Sequence, residues 1–489
     1  MEKKTSWRIG IIALLCCALV LCAVWAAVRS GEPADQPVAA ADASAEQDNN
    51  ESAAADASSE SLTERDQGWI SDIRFLQQTF TDEHPAPFWL LPQEDFDRQI
   101  DELIDQVPQL SDLEIGMELQ RIVAQIGDQH SHVYFYEGLS AYPVDFYMND
   151  DGTVYLYQAR FGDSDAQTYI MDYYQVVRIN NVDIQYIVNQ LKELSSSAAN
   201  AYNYVSNVRH LLPYRDILKG VGIPCEGDTD TFTLIDEQGR TFDIEVAAGG
   251  DSSGGSIQLA ESIPSEYLRT TEPVTLPLCL INEQSDYWHS YLESENAMYF
   301  AVHHFRRQEN EKNEEIFSAF LQEMFASFDT NNAEKLIIDL RGNPGGNGMV
   351  RGALTAAIEA RPELKGKLYA LIDARTFSAG VICAQELSEK CDAILVGTPT
   401  GGTPWGFGYD GDKSNHVLPY SGIAFSCGSV YYVGEKYYYG QKFNSPQFAM
   451  ANFFPPLSNN TVMPDVYIST DIQDLAEGRD PALEWVLAQ

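Results

Sequence analysis

Three short stretches hold residue types that can do chemistry together. In "DARTFSAGVICAQEL", Asp373 to Leu387, Ser378 stands between the apolar run "KLYALID" and a helical pattern of Val381, Ile382, Ala384 and Leu387. A serine at a strand-to-helix turn can be a nucleophile, because the helix amino end offers unpaired N–H groups to a developing oxyanion. The same position suits an ordinary helix cap. "LIIDLRGNPGGN" sets Gly342, Gly345 and Gly346 directly after another apolar run, where the backbone can approach a ligand and turn N–H groups inward. It lacks the spacing of a phosphate loop or a dinucleotide fingerprint, and a tight turn is the alternative. "GDQHSH" supplies His130 and His132, which share one face if the chain is extended. A catalytic base, a metal pair and a histidine bonded to backbone all remain open for His130.

The elements that must hold these residues follow from periodicity. Residues 66 to about 130 read as helical, with Phe96, Ile100 and Leu103 on one face and Ile115, Leu119, Ile122 and Ile126 on another. From 140 to about 248 the pattern turns to strands, "TVYLYQA", "YQVVRINNVDI" and "DTFTLIDEQGRTFDIEVA", with a helical piece at "YIVNQLKEL". "GGDSSGGS" marks a loop or boundary. From about 270 onward strands and helices alternate. "AMYFAVHHF", "LIIDL", "KLYALID" and "AILVGT" read as strands, and Ile316, Phe317, Phe320, Leu321, Met324 and Phe328 as a helix stripe. Such alternation predicts an α/β layer with a mostly parallel sheet, and sites gather at the carboxyl ends of its strands. Ser378 and the glycine-rich turn both sit at such ends.

The 489 residues allow two or three domains, and 44% apolar content with 26 Tyr and 22 Phe fits a globular, partly β-rich chain. The formal net charge of −41 argues against nucleic acid and against an anionic lipid surface as partners. The amino terminus, "MEKKTSWR", is basic, and Ile9 to Val28 is uncharged and apolar, long enough to span a bilayer. A single-pass anchor is the expectation, with a cleaved signal peptide the rival. The small, acidic stretch that follows reads as a disordered tether, which would place the folded part outside the cytoplasmic membrane. Cys225, Cys279, Cys383, Cys391 and Cys427 are irregularly spaced, so neither a disulfide framework nor a CxxC metal site is expected.

"LIIDLRGNPGG", "ALIDARTFSAG" and "ILVGTPTGGTPWGFG", in this order, resemble the carboxy-terminal processing (tail-specific) serine peptidase family. "QIGDQHSHV" looks like that family's segment ahead of the core, "VVRINNVDI" is similar to a strand of its PDZ-like module, and "HVLPYSGIAFSCGSVYY" and "MPDVYISTDIQDLAEGRDPALEWVL" look like its closing segments. The likeness covers roughly residues 66 to 489. It implies a crotonase-like α/β core with a small PDZ-like β module. It also implies Ser378 as nucleophile, with the backbone N–H groups of Ala379 and of Gly345 or Gly346 as the oxyanion hole. No cofactor or metal is implied.

One branch of the family uses a lysine base, but Thr403 stands at that position in "PTGGTP" and the next lysine, Lys413, lies beyond a glycine-rich loop. Threonine cannot take a hydroxyl proton at neutral pH. The tricorn-like branch uses a histidine from the amino-terminal segment, and His130 falls on that position. An unperturbed pKa of about 6.5 suits imidazole to this role. For the group that orients it, Asp128 is close in sequence, and Glu435 in "YYVGEKYYYG" matches the branch's late glutamate, though a hairpin-turn residue is the alternative there. His303 and His304 are reserve candidates, and His84 reads as structural, near the cleft.

The chain is thus divided into a basic segment 1–8, an anchor or signal peptide 9–28, a tether 29–65, a helical segment 66–139 carrying His130, a PDZ-like module 140–256 and a peptidase core 257–489. A membrane-tethered peptidase acting on proteins or peptides is the expected function, and a non-catalytic peptide or ligand binder on the same scaffold is the alternative. The degenerate "INN" of the module weakens tail recognition more than peptidase chemistry.

Overall fold

The computed structural model describes residues 62–161, 169–171, 174–236, 238–249, 269–270, 277–282, 285–305, 312–443 and 445–489. Three helices come first: α1 (Glu64–Glu83), α2 (Gln93–Gln106) and α3 (Asp112–Gln125). Thr63 and Ser111 start α1 and α3 with reciprocal capping boxes, so the sequence itself marks both starts. The predicted faces are the buried ones: Phe96, Ile100 and Leu103 on α2, and Ile115, Leu119 and Ile122 on α3. The helical reading ends sooner than expected, because β1 (His132–Val133) leaves the helices to pair with a strand nearly 300 residues away.

The β-rich part follows. Strands β2 (Val144–Met148), β3 (Val154–Phe161), β4 (Tyr169–Met171), β5 (Gln175–Ile179) and β6 (Val182–Asp183) precede α4 (Ile184–Lys192), α5 (Tyr204–Leu211) and α6 (Arg215–Gly220). Then come β7 (Thr229–Ile235), β8 (Thr241–Ala247) and β9 (Arg269–Thr270), which complete an antiparallel eight-stranded sheet. The sheet therefore runs past the expected boundary at 256. Asn180 and Asn181, at φ 50° and 63°, make the two-residue turn between β5 and β6, a conformation asparagine tolerates better than other side chains.

The last part is the α/β layer. In chain order it holds β10 (Tyr287–Leu292), β11 (Ala297–Val302), α7 (Lys312–Asn331), β12 (Lys335–Asp339), α8 (Gly348–Glu359), β13 (Leu368–Ile372), α9 (Ala379–Cys391) and β14 (Ile394–Gly397). Short strands follow: β15 (Trp405–Gly408), β16 (Asn415–Val417), β17 (Ala424–Ser426), β18 (Val430–Val433) and β19 (Lys436–Tyr439). The chain closes with α10 (Pro446–Asn452), β20 (Val466–Tyr467), α11 (Ile472–Ala476) and α12 (Pro481–Leu487). The six-stranded sheet runs β10-β11-β12-β13-β14-β20, parallel except at β10.

Period-two alternation divides this sheet between two cores. Met298, Phe300, Ile338 and Ala370 face helices α7 to α9, whereas Tyr299, Ile337 and Leu371 face α12. Burial on both faces explains why β11, β12 and β13 read as unbroken apolar runs.

The membrane expectation is corrected. Among the described residues no helix is long and apolar enough to cross a membrane. The 9–28 run and the 29–65 tether, except for its last residues, lie outside the described residues, as does the "GGDSSGGS" boundary after Gly249.

Candidate active site

Ser378 sits at the carboxyl end of β13, where the chain turns sharply into α9. The turn is tied to the neighbouring strand end: Asp373 Oδ1 accepts the N–H of Gly342 at 3.0 Å and of Arg375 at 2.9 Å. Thr376 Oγ1 donates to Leu340 O at 2.9 Å, and Phe377 N donates to Asn343 O at 2.8 Å. Within this frame Ser378 takes φ 50° and ψ −121°. Every other described non-glycine residue at positive φ is Asn or Asp, the types that tolerate it. A serine held there is strained, and such strain concentrates at functional turns. Its side chain makes no cap hydrogen bond to α9. Oγ lies instead 3.1 Å from His130 Nε2.

His130 reaches Ser378 because the six residues between α3 and β1 are clamped on both sides. Gln129 Nε2 donates to Gly401 O at 2.8 Å and its Oε1 accepts Thr403 N at 3.0 Å. Ser426 Oγ, on β17, donates to His130 O at 2.8 Å and accepts His132 N at 3.0 Å. The imidazole is 6% exposed and packed by Phe377, Tyr409 and Tyr432, with ring centroids at 5.0, 5.6 and 6.2 Å. A ring so enclosed has little rotamer freedom left to lose on reaction.

Beneath it lies a buried polar group. Asp128 is 1% exposed, accepts the His130 backbone N–H at 2.9 Å, and is bonded by Ser131 Oγ. His84, fully buried, puts Nε2 3.3 Å from Asp128 Oδ2. Its Nδ1 accepts Ala86 N–H at 3.1 Å, which leaves the proton on Nε2, toward the carboxylate. Burial by itself would raise the Asp128 carboxyl. His84, the nearby His130 and the Ser131 hydroxyl outweigh it and hold the group at about 2. Asp128 is therefore an anion, bonded to the His130 backbone and near enough for its charge and that of His130 to be felt mutually.

The glycine loop approaches Ser378 as closely as backbone can. A Cβ added at Gly345, φ 98°, would lie 2.5 Å from Ser378 Cβ and 2.7 Å from Ala379 N. One added at Gly346, φ 127°, would overlap Phe305 O. Only glycine fits either place. The Gly345 N–H is already donated to Asn343 Oδ1 at 2.7 Å. Phe305 N and Asn347 N bond across the loop to Gly345 O and Phe305 O. The N–H groups of Gly346 and Ala379 enter no hydrogen bond among the described residues.

The other sequence candidates lie elsewhere. Glu435, expected as an orienting acid, stands at the β18–β19 turn, its side chain 52% exposed, and its carboxylate is held by Lys390 Nζ at 2.7 Å. Lys413 is exposed and paired with Asp410. Thr403 offers its backbone to Gln129 and Tyr432. His132 Nε2 lies 2.9 Å from Gln129 O, and burial lowers its pKa, keeping it neutral. His303 bonds Ser285 O through Nδ1, and the His304 ring lies beside Gly346. Among the described residues no group of three His, Cys, Asp or Glu could hold a metal ion. Sequence reasoning missed Gln129, Ser426 and Asn343, and it left His84 without a partner. The one local signal was the polar run Asp128-Gln129-His130-Ser131, too hydrophilic for a segment flanked by Ile126 and Val133 unless it is buried against partners.

No family model matches the chain, and no curated protein does. Solved structures do. Mature CPAF complexed with lactacystin aligns with a TM-score of 0.57 at 13% identity, over 87% of this chain and 97% of that one. Mature CPAF alone gives 0.55 at 13% identity, over 87% and 96%. At such identity the likeness is one of fold, a mixed α/β fold built from several sheets. The photosystem II D1 C-terminal processing protease aligns at a TM-score of 0.38 and 11% identity, over 87% of this chain and 97% of that one, too loosely to carry an argument.

Proposed function

We propose that this chain is a serine peptidase of the carboxy-terminal processing type that uses histidine as its base. In this reading the α/β layer is the family's crotonase-like core and the eight-stranded sheet corresponds to its PDZ-like module. The observation that carries the reading is the uncapped, strained Ser378 with Oγ 3.1 Å from His130 Nε2. A cap would have turned Oγ toward its own helix.

The chemistry follows from the geometry. His130 Nε2 takes the Ser378 proton as Oγ attacks the scissile carbonyl. The carbonyl oxygen, now negative, is held by the N–H groups of Gly346 and Ala379, the two left uncommitted in the loop and at the helix start. Donors of this kind are worth about 3 kcal/mol each in the transition state. The imidazolium then protonates the departing amine, leaving an acyl-enzyme. Water, deprotonated by the same imidazole, releases the acid and restores the serine. Asp128 supports the imidazolium as a fixed nearby anion. The helical part, β1 and β17 exist in this scheme to bring His130 to the core.

Cleavage of an unfolded protein substrate by the wild type and by Ser378→Ala tests the reading. Loss of cleavage in the variant, with an unchanged fold by circular dichroism, is expected. Equal cleavage by both would overturn it.

A further inference from the structure

Away from Ser378, a cavity of about 220 Å³ opens where the carboxyl ends of β12, β13 and β14 meet the end of β2. Its charged lining consists of Asp150, Asp339, Arg341, Asp373 and Arg375. Most of these charges are already matched. Arg341 Nη2 is 2.5 Å from Asp339 Oδ2 and 2.7 Å from Asp480 Oδ2, and Arg375 Nη2 is 2.7 Å from Asp373 Oδ2.

Asp150 is the exception. Its oxygens accept only hydroxyls, from Thr398 Oγ1 at 3.4 Å and Ser469 Oγ at 3.1 Å, and no cationic side chain among the described residues pairs with it. Burial raises this carboxyl, and the like charges of Asp373 and Asp471 raise it further. A half-buried carboxylate left without a counter-charge destabilises the fold, and proteins keep such groups where a ligand supplies the missing charge.

The apolar side chains of Met148, Val205, Leu280 and Leu475, and Tyr147, line the same cavity. The Tyr147 ring already faces guanidinium groups, Arg209 at 5.7 Å and Arg375 at 5.8 Å. A divalent cation would want several oxygen ligands, and no group of three acidic or imidazole side chains converges here among the described residues. An organic ammonium on a short alkyl stem fits both the unmatched charge and the apolar walls.

We propose that this cavity binds a primary alkylammonium group, its charge on Asp150 and its stem against Val205 and Leu280. Two sources share that chemistry, a free amine and the side chain of a lysine-containing peptide. The site goes beyond the peptidase reading and does not rest on it, so a Ser378→Ala chain binds the amine as the wild type does.

Titration calorimetry on the full chain, at constant chloride, tests this with n-butylamine, n-butanol and N-acetyl-lysine methylamide. Saturable binding of n-butylamine is expected, at least tenfold weaker in Asp150→Asn, and none of n-butanol. Binding of the lysine derivative as well assigns the site to a peptide side chain, and binding of n-butylamine alone assigns it to a free amine. The amine, not the alcohol, also raises the wild-type melting temperature, a readout that needs no variant. Absence of saturable amine binding, equal binding of the alcohol, or unchanged affinity in Asp150→Asn overturns the proposal.

Discussion

Gln129 holds Thr403 across 274 residues of chain: its Oε1 accepts the Thr403 N–H at 3.0 Å. With the Gly401 carbonyl on its Nε2, this one side chain sews the His130 turn to the loop that packs on Ser378. Would-be Cβ contacts from Gly402 to Phe377 Cα and Ser378 N, at 2.8 and 3.1 Å, show how tightly that loop lies against the nucleophile. Thr403 is thus part of the device that brings the histidine.

Gln129→Leu should uncouple the two halves. The substitution keeps volume but leaves the Gly401 carbonyl and Thr403 N–H buried without partners, a cost of about 2 kcal/mol in stability. Because His130 loses its anchor and substrate contacts do not, kcat should fall at least tenfold with KM little changed. Steady-state kinetics beside urea unfolding separate the two effects. Equal loss in kcat and gain in KM would point to a general loosening instead.

Asp128 sets the acid behaviour. Its carboxyl stands at about 2 in the fold against about 3.9 unfolded, so the stability it contributes is complete above about pH 5 and is lost progressively as pH falls through 2. That contribution is roughly 3 kcal/mol at neutral pH. Asp128→Asn should therefore lose about that much at pH 7 and converge with the wild type near pH 2. Urea unfolding at pH 7, 4 and 2.5 checks this, and parallel acid curves for the two proteins would contradict it.

Glu435→Gln should do little. A half-exposed ion pair with Lys390 is worth at most about 1 kcal/mol, and Lys390 holds the carboxylate at 2.7 Å. Activity should stay within about twofold of wild type. A hundredfold fall in kcat would mark Glu435 as the residue orienting His130.

Much of this arrangement could be read from local pattern. The buried strands β11, β12 and β13 announce themselves as apolar runs, the helix faces as 3.6-residue stripes, and the glycine turn by composition. Ser378 at a strand-to-helix turn was visible, but its backbone angles were not, since cap and nucleophile share a sequence signature. The His130 turn was legible from the "GDQHSH" motif and its family resemblance, and locally as a polar run between apolar residues. Its partners Gln129, Ser426 and His84 act through contacts that close loops of up to about 300 residues, and no periodicity encodes those. The Glu435 pairing was illegible for the same reason: its partner Lys390 lies on α9, 45 residues earlier.

The central claim is that Ser378 is a nucleophile activated by His130. A fluorophosphonate probe reads this most directly, because its labelling rate reports attack of the serine oxygen on phosphorus, with loss of fluoride, without requiring a known substrate. Wild-type protein should label rapidly, Ser378→Ala not at all, and His130→Ala at least a hundredfold more slowly. Labelling that survives Ser378→Ala, or that is indifferent to His130→Ala, would contradict it.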